Sequence, residues 1–258
     1  MASLQNQKKM EEISETVVET SQRWKSKTER FILYADFMGF SSRVYEKKHE
    51  DIKKELQNFR NDFEDKAKNL AEADKLKWVQ FSDSILISVN GNDRMYFLTI
   101  SNAAVILMQT SMKLGIPLKG VIAKGEFTYE EKKQLFFGRP LVDAYRLHDE
   151  IKFYGIVVHH SAQLEAKNLN TYYSDKKVQF KTGKISHYHL VWNLFEISKN
   201  SINRTLVSPI TENKDVSGWI ERISESVSGD PRKYIDSTNE MFESNKDFHA
   251  NSEDLDAS

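Results

Sequence analysis

The sequence predicts an α+β or α/β fold in which helices pack against one mixed sheet. Short apolar runs rich in strand-forming residues alternate with polar segments that carry apolar residues at helical spacing. The 258 residues are enough for one or two domains with a buried core. Cysteine is absent, which excludes disulfides, thiolate metal sites and cysteine nucleophiles.

In the first half of the chain, helical and strand patterns follow one another closely. The predicted elements in order are a helix over 5–28, a strand over 30–37, one or two amphipathic helices over 41–74, strands over 76–82 and 84–90, and a buried helix over 93–114. Gly39 and the Asn90-Gly91 pair stand where the first and third strands end, and both are turn signals.

The second half begins with a hairpin and becomes polar toward its end. The predicted elements are paired strands over 118–127 and 133–138, a helix starting near Pro140, a strand over 153–159, two strands within 177–195 around Thr182-Gly183, and a helix within 216–244. We expect residues 251–258 to be frayed or disordered.

Composition limits the partners of the protein. Lysine and arginine number 37 and aspartate and glutamate 38, so the net charge of −1 disfavours general nucleic-acid binding. The longest apolar run, 103–108, is far shorter than the ~20 residues of a membrane-spanning helix. Residues 1–5 lack the apolar core of a signal peptide. We therefore expect a cytoplasmic protein with neither nucleic acid nor membrane as a partner.

Two aspartates stand where predicted strands end. Asp36 is followed by a turn containing Gly39, and Asp83 lies 47 residues later between two strands. Carboxylates beside such a turn suit a divalent metal with phosphate, because hard cations prefer oxygen ligands and turn N–H groups attract anions. A strand-end aspartate is also often only a helix cap or turn residue, so the metal role requires the fold to bring the pair together.

Four motifs in order resemble those of class III nucleotide cyclases. Residues 34–41 (YADFMGFS) resemble the first metal motif of that family, and residues 81–84 (FSDS) resemble the second. Residues 119–126 (KGVIAKGE) resemble the central strand that follows, and residues 137–147 (FGRPLVDAYRL) the late strand-to-helix motif. The agreement spans 30–195, and its details look most like the pyrimidine cyclases of the bacterial Pycsar anti-phage systems.

The resemblance implies a class III cyclase-like α+β fold, with a ferredoxin-like βαββαβ core and a mixed sheet flanked by helices. It divides the chain into an N-terminal helix (1–28), a cyclase catalytic domain (29–200) and a helical, partly disordered C-terminal extension (201–258). It also implies a homodimer whose active sites are composed of residues from both chains.

The resemblance assigns two Mn²⁺ or Mg²⁺ ions to Asp36, Asp83 and the backbone carbonyl of Phe37. Such ions would activate the ribose 3′-hydroxyl for in-line attack on the α-phosphate and neutralise the phosphates. The turn after the first aspartate would contact the nucleotide through Phe37, Met38, Gly39, Phe40 and Ser41.

Basic residues of the late motifs complete the implied site. Lys184, with Lys181 as second choice, would grip the triphosphate, and Arg146 matches the arginine that stabilises the transition state in the partner's site. An exposed hairpin lysine and a helix-surface arginine are the alternatives. Val142 replaces the family's asparagine, so either another group orients the ribose or this helix has a changed role.

The base-reading positions are apolar. Val79 and Leu135 stand where purine cyclases carry polar base readers, and bulky Phe81 and Phe137 would narrow the pocket. A site without purine-pairing groups favours a smaller base. Gln80 is a candidate reader, but its amide serves uracil and cytosine equally.

The predicted function is therefore a uridylate cyclase that makes 3′,5′-cyclic UMP and pyrophosphate from UTP, with CTP as the alternative substrate. Its product would activate a separate effector in anti-phage signalling. Two other interpretations stay open. An inactive cyclase-like module that only binds nucleotide is disfavoured by the retention of both aspartates. A palm-type diguanylate cyclase or polymerase is disfavoured by the missing G-G-D-E-F signature and the low net charge.

Overall fold

The computed structural model describes residues 24–70, 72–210, 216–225 and 229–249. The strands in chain order are β1 (Lys27–Phe37), β2 (Leu76–Phe81), β3 (Ser84–Val89), β4 (Leu118–Glu130), β5 (Leu135–Gly138), β6 (Ile156–Val158), β7 (Tyr173–Ser174), β8 (Lys177–Phe180), β9 (Gly183–Ser186), β10 (His189–Leu190), β11 (Phe195–Lys199) and β12 (Thr205–Pro209). The α-helices are α1 (Phe40–Glu46), α2 (His49–Ala67), α3 (Arg94–Lys113), α4 (Arg139–Glu150), α5 (Gln163–Asn168), α6 (Ser217–Glu225) and α7 (Asp230–Asn245).

β1 is a central strand of an eight-stranded mixed sheet. It pairs antiparallel with β3 on one side and β4 on the other, in the order β2-β3-β1-β4-β6-β10-β7, with β5 attached to β4. Its apolar residues are buried on both faces, as expected for a strand covered on both sides. The order β2-β3-β1-β4, with helices after β1 and β3, is the predicted βαββαβ core, so the predicted fold class is confirmed.

Helices cover both faces of β1. Phe31 packs against Phe97 of α3 with 5.0 Å between ring centroids, which places α3 on one face. Tyr34 packs against His148 of α4 at 5.2 Å, which places α4 on the other. Because side chains alternate along a strand, Asp36 lies on the α4 face with Tyr34.

The predicted strands on either side of Asp83, the buried helix over 93–114 and the β4–β5 hairpin are confirmed. β1 begins earlier than predicted, at Lys27, because its N-terminal end continues the pairing with β4. Residues 24–28 are therefore not helical, and the rest of the helix predicted over 5–28 lies outside the described residues.

Later elements are shorter and more numerous than predicted. The strand predicted over 153–159 is only Ile156–Val158, because the chain bends where the ring of Phe153 packs against Gly155. Residues 177–195 contain three short strands instead of two. β7, α5 and the β11–β12 hairpin were not predicted.

The helix predicted within 216–244 is two helices. α6 ends at Glu225, and α7 starts after Gly229, whose φ of 67° is incompatible with a continuing helix. Pro231 then fits the first turn of α7, where its missing N–H has no partner to lose.

α7 packs against the domain instead of extending away from it. Buried residues recur along it at helical spacing: Tyr234, Ile235, Thr238, Met241, Phe242 and Asn245. Phe242 packs against Trp192 with 5.2 Å between ring centroids. The predicted extension is thus folded over its described part, and residues 251–258 lie outside the described residues.

Within the described part of the chain, α3 alone is long and apolar enough to cross a membrane, and 78% of its apolar window is buried inside the protein. The helix is covered by the sheet, by α2 and by the C-terminal segments, as expected of a core helix.

Candidate active site

The two predicted aspartates meet at one end of the sheet. Asp36 is the penultimate residue of β1, and its antiparallel partner on β3 is Ser84. Asp83 lies in the two-residue turn between β2 and β3, where Ser82 takes a left-handed φ of 56°. The N–H of Phe37 donates to the carbonyl oxygen of Asp83 at 3.1 Å, so this tight turn is held against the end of β1.

The Asp36 carboxylate is surrounded by hydroxyl groups and by a second carboxylate. Ser84 Oγ donates to Asp36 Oδ1 at 2.9 Å, and the Tyr34 hydroxyl lies 3.3 Å from the same Oγ. Burial raises the pKa of the Asp36 carboxyl and the charge of Asp83 raises it further, whereas the Ser84 hydrogen bond and the charge of Lys119 lower it. The site therefore disfavours two carboxylate charges without an added cation.

This surrounding fits a divalent metal. Asp36, Asp83 and the carbonyl oxygen of Phe37 are oxygen donors at the same end of the sheet, and a cation there would relieve the repulsion between the carboxylates. Within the described ranges no cluster of three or more His, Cys, Asp or Glu residues is found. The remaining ligands would therefore be water or phosphate oxygens, as is usual for Mg²⁺.

Lys119 is a site residue that the sequence did not single out. It is the residue of β4 directly opposite Asp36, is 4% exposed, and donates from Nζ to the carbonyl oxygen of Ile151 at 3.2 Å. Burial lowers its pKa to about 8, and the charge of Lys152 contributes in the same direction. A lysine just before the apolar residues 121–123 of β4 was the available signal, but only the register of β1 and β4 shows which residue it faces.

The turn after Asp36 lines an open cavity. The N–H of Met38 donates to the carbonyl oxygen of Pro117 at 2.8 Å, which fixes the turn beside the start of β4. Gly39 has a φ of 72° and nothing within 4 Å of where a Cβ would lie. A cavity of about 410 Å³ adjoins the turn, with Tyr154 and Tyr234 in its opposite wall. Phe40 and Ser41 begin α1.

Lys181 and Lys184 lie in and after the β8–β9 turn, and carboxylates already bind both. Lys181 Nζ contacts the carboxylate of Asp149 and lies 3.8 Å from that of Glu150. Lys184 Nζ lies 3.0 Å from a carboxylate oxygen of Glu240 on α7. The two lysines line a second cavity of about 410 Å³, whose wall also includes Lys152 and Tyr234.

Arg146 points outward from α4. It is exposed and makes no ion pair with any residue that the structure describes. Its neighbours Val142 and Tyr145 are 49% and 61% exposed. The structure does not bring Arg146 to the aspartates of its own chain, and its role in a partner's site stays a prediction.

Gln80 does not join the aspartates. It precedes Phe81, which pairs with Ser84 and so shares the Asp36 face, and alternation along β2 turns Gln80 to the opposite face. Its amide nitrogen donates to the carbonyl oxygen of Ser82 at 3.0 Å, and its side chain lines a groove against α1 and α2. The orientation of Gln80 could have been predicted from the alternation of side chains along β2, which the sequence-based prediction did not take into account.

Solved structures of nucleotide cyclases have the same fold. The chain is similar to the catalytic core of a rhodopsin-guanylyl cyclase with converted specificity in complex with ATPalphaS, at a TM-score of 0.51 and 14% identity, over 64% of this chain and 98% of that one. It is also similar to the dimeric guanylyl cyclase domain of the RhoGC fusion protein from the aquatic fungus Blastocladiella emersonii, at 0.51 and 14%, over 64% and 97%. No protein-family model and no curated protein matches the sequence. The three-dimensional likeness shows a class III nucleotide cyclase fold.

Proposed function

We propose that this protein is a nucleotide cyclase that converts UTP to 3′,5′-cyclic UMP and pyrophosphate. The observation that carries the proposal is the meeting of Asp36 and Asp83, remote in sequence, at one end of the sheet beside Lys119. A metal-bound triphosphate would supply a cation to the two carboxylates and phosphate oxygens to the lysine.

The residues divide the chemistry between them. Bound divalent ions would lower the pKa of the ribose 3′-hydroxyl and neutralise phosphate charge. Asp36 and Asp83 hold the ions, and Ser84 fixes the orientation of the Asp36 carboxylate. As the 3′-oxygen bonds to the α-phosphorus, the bond to the β-phosphate oxygen breaks, pyrophosphate leaves and the hydroxyl proton passes to water. Lys119 places positive charge beside the departing phosphates.

The exposed apolar residues of the Asp36 side support a homodimer with composite sites. Phe81 is 84% exposed two residues before the second aspartate, and Tyr145, whose ring centroid lies 5.8 Å from that of Tyr34, is 61% exposed. Large apolar side chains concentrated on one surface are typical of a protein interface. Arg146 lies beside them and would reach the α-phosphate held by the partner subunit.

The base preference rests on apolar base-reading positions. Val79 alternates with Gln80 and so shares the face of Phe81, and Leu135 is 43% exposed on β5. Neither can hydrogen-bond a purine edge, which favours a pyrimidine, and UTP is preferred over CTP on the family resemblance. By the same resemblance, the cyclic nucleotide would act in the cytoplasm on a separate effector during anti-phage signalling.

Incubation of the purified protein with each of the four nucleoside triphosphates and Mn²⁺, followed by mass identification of the product, tests the proposal. We expect cyclic UMP above all other products. Asp36→Asn should lower turnover at least about a thousandfold, because a metal ligand of the reacting atoms is lost. Its melting temperature should stay equal or rise, because burial already disfavours that carboxylate charge.

Cyclic CMP as the main product would correct the base alone. Absence of pyrophosphate release with all four nucleotides would favour the binding module and overturn the proposal. Mixing Asp36→Asn chains with Arg146→Ala chains should restore part of the activity if each site uses both subunits. No recovery would contradict the composite site while leaving the reaction unaffected.

A further inference from the structure

Tyr234 lies between the turn that follows Asp36 and the cavity lined by Lys152, Lys181 and Lys184. It comes from α7, outside the region that resembles the cyclases, and lies in the wall of both cavities described above. Lys119 Nζ lies 5.6 Å and Lys152 Nζ 5.2 Å from the centroid of its ring. Lys152 Nζ also donates to the Tyr234 hydroxyl at 3.2 Å.

These two lysines differ from their neighbours in how their charge is balanced. Lys181 and Lys184 each have a carboxylate partner. Lys119 and Lys152 have neutral partners, a carbonyl oxygen and a phenol, and neither has an ion pair within the described part of the chain. The carboxylates of Asp149 and Asp36 act on Lys119 only through longer-range charge, so the two ammonium groups that share one ring leave a partly buried place open to a further anion.

The position of Tyr234 is well defined by packing. Its ring stacks on Tyr154 with centroids 5.6 Å apart and 21° between planes. One turn further along α7, Thr238 Oγ1 accepts the N–H of Tyr154 at 2.9 Å and donates to the carbonyl oxygen of Tyr234. The hydroxyl is thus held at the boundary of the two cavities, and α7 forms a wall of the site.

We infer that Lys152 and the Tyr234 hydroxyl, together with Lys119, form a subsite for the terminal phosphate of the nucleotide, so that α7 is part of the active site. The inference rests on the proposed function for its ligand. The α-phosphate would lie at the aspartates and the chain of phosphates would run along the turn at Gly39 toward the Tyr234 wall. Charged donors and a hydroxyl give the terminal phosphate charge-assisted hydrogen bonds.

Calorimetric titration of the full chain with inorganic tripolyphosphate in the presence of Mn²⁺ tests this subsite without requiring turnover. Lys152→Met keeps the aliphatic stem and removes the charge, and we expect binding to weaken about tenfold or more. Tyr234→Phe keeps the ring and should weaken binding about two- to tenfold. Lys177→Met, which removes an exposed charge from β8, is the matched control and should bind as the wild type does.

Kinetics provide the second measurement. With the preferred triphosphate, Lys152→Met should raise KM by about the same factor as it weakens tripolyphosphate binding, while kcat changes less. A purely structural contact between Lys152 and α7 would instead lower the melting temperature and leave tripolyphosphate binding unchanged, which overturns the inference. Equal loss in Lys177→Met, or no tripolyphosphate binding by the wild type, also overturns it. Tripolyphosphate binding that depends on Lys152 in a protein making no cyclic nucleotide would keep the subsite and reject the cyclase.

Discussion

The buried polar residues of the two halves of the sheet lie in different environments. In the β2-β3-β1-β4 half, Asp36 and Lys119 face each other in environments that oppose both charges. In the β6-β10-β7 half, the buried His189 has a hydrogen-bond partner at each ring nitrogen. His189 is fully buried, its Nδ1–H donates to the carbonyl oxygen of His187 at 2.9 Å, and its Nε2 accepts from Asn245 at 2.9 Å.

These environments distinguish polar groups that bind a ligand from polar groups that stabilise the fold. A charge that burial disfavours lowers the free energy of unfolding, and such groups are concentrated at functional sites. A buried group with complete hydrogen bonds stabilises the fold and needs no ligand. Substitution of Asp36 or Lys119 should therefore reduce activity without reducing stability. Substitution of His189 should reduce stability without reducing activity.

Lys119→Met is expected to show the largest contrast. Turnover at low substrate should fall about tenfold to a hundredfold, because a charge-assisted contact to phosphate is lost. Lys119 is protonated at pH 7 in both the folded and the unfolded protein. Its pKa in the folded protein is about 8, well below its usual value, so its charge destabilises the folded state. Removing it should raise the free energy of unfolding by roughly 1–3 kcal/mol.

Nucleotide kinetics and chemical denaturation of the same preparation measure both effects. Lys119→Arg is the control, since it keeps the charge and should retain part of the activity without becoming more stable. A Lys119→Met protein that is less stable than the wild type would place this lysine with the structural polar groups and weaken the contrast.

His189 gives the opposite case through acid sensitivity. Burial lowers its pKa to about 4, whereas an unfolded histidine titrates near 6.5. The neutral folded form therefore contributes its full stability above about pH 6.5, and this contribution, of the order of 3 kcal/mol, is lost as the pH falls toward 4.

Urea unfolding at a series of pH values checks this window. His189→Gln should be less stable at pH 7 but should lose less stability between pH 6.5 and 4 than the wild type does. Its turnover per folded molecule should be unchanged. A Gln variant with the same acid slope as the wild type would assign that slope to other groups, and the buried His148, whose pKa is lowered to about 3, is the next candidate.

Sequence reasoning reached what local pattern and order determine. Hydrophobic patterning predicted helices on one mixed sheet and placed Asp36 and Asp83 at strand ends, whereas the βαββαβ core was predicted from the resemblance to class III cyclases. Lys119 was not singled out, because its position opposite Asp36 depends on the register between β1 and β4, which no local signal reveals. Tyr234 was missed because its contact with Lys152 joins residues 82 apart in sequence through tertiary packing of a polar helix.

The sequence-predicted phosphate lysine, Lys184, gives the smallest expected effect. Its ammonium is paired with Glu240 at 3.0 Å in a half-exposed setting, and it must leave this carboxylate to reach a phosphate. Lys184→Met should therefore raise KM only about two- to fivefold, less than Lys119→Met, because an exposed ion pair contributes about 1 kcal/mol at most. Glu240→Gln is the informative companion, since it frees the ammonium and should lower KM if Lys184 contacts the triphosphate. If Lys184→Met instead exceeds Lys119→Met in KM, the late hairpin is the main phosphate contact, and Lys119 must be reassigned as a stabilising charge for Asp36.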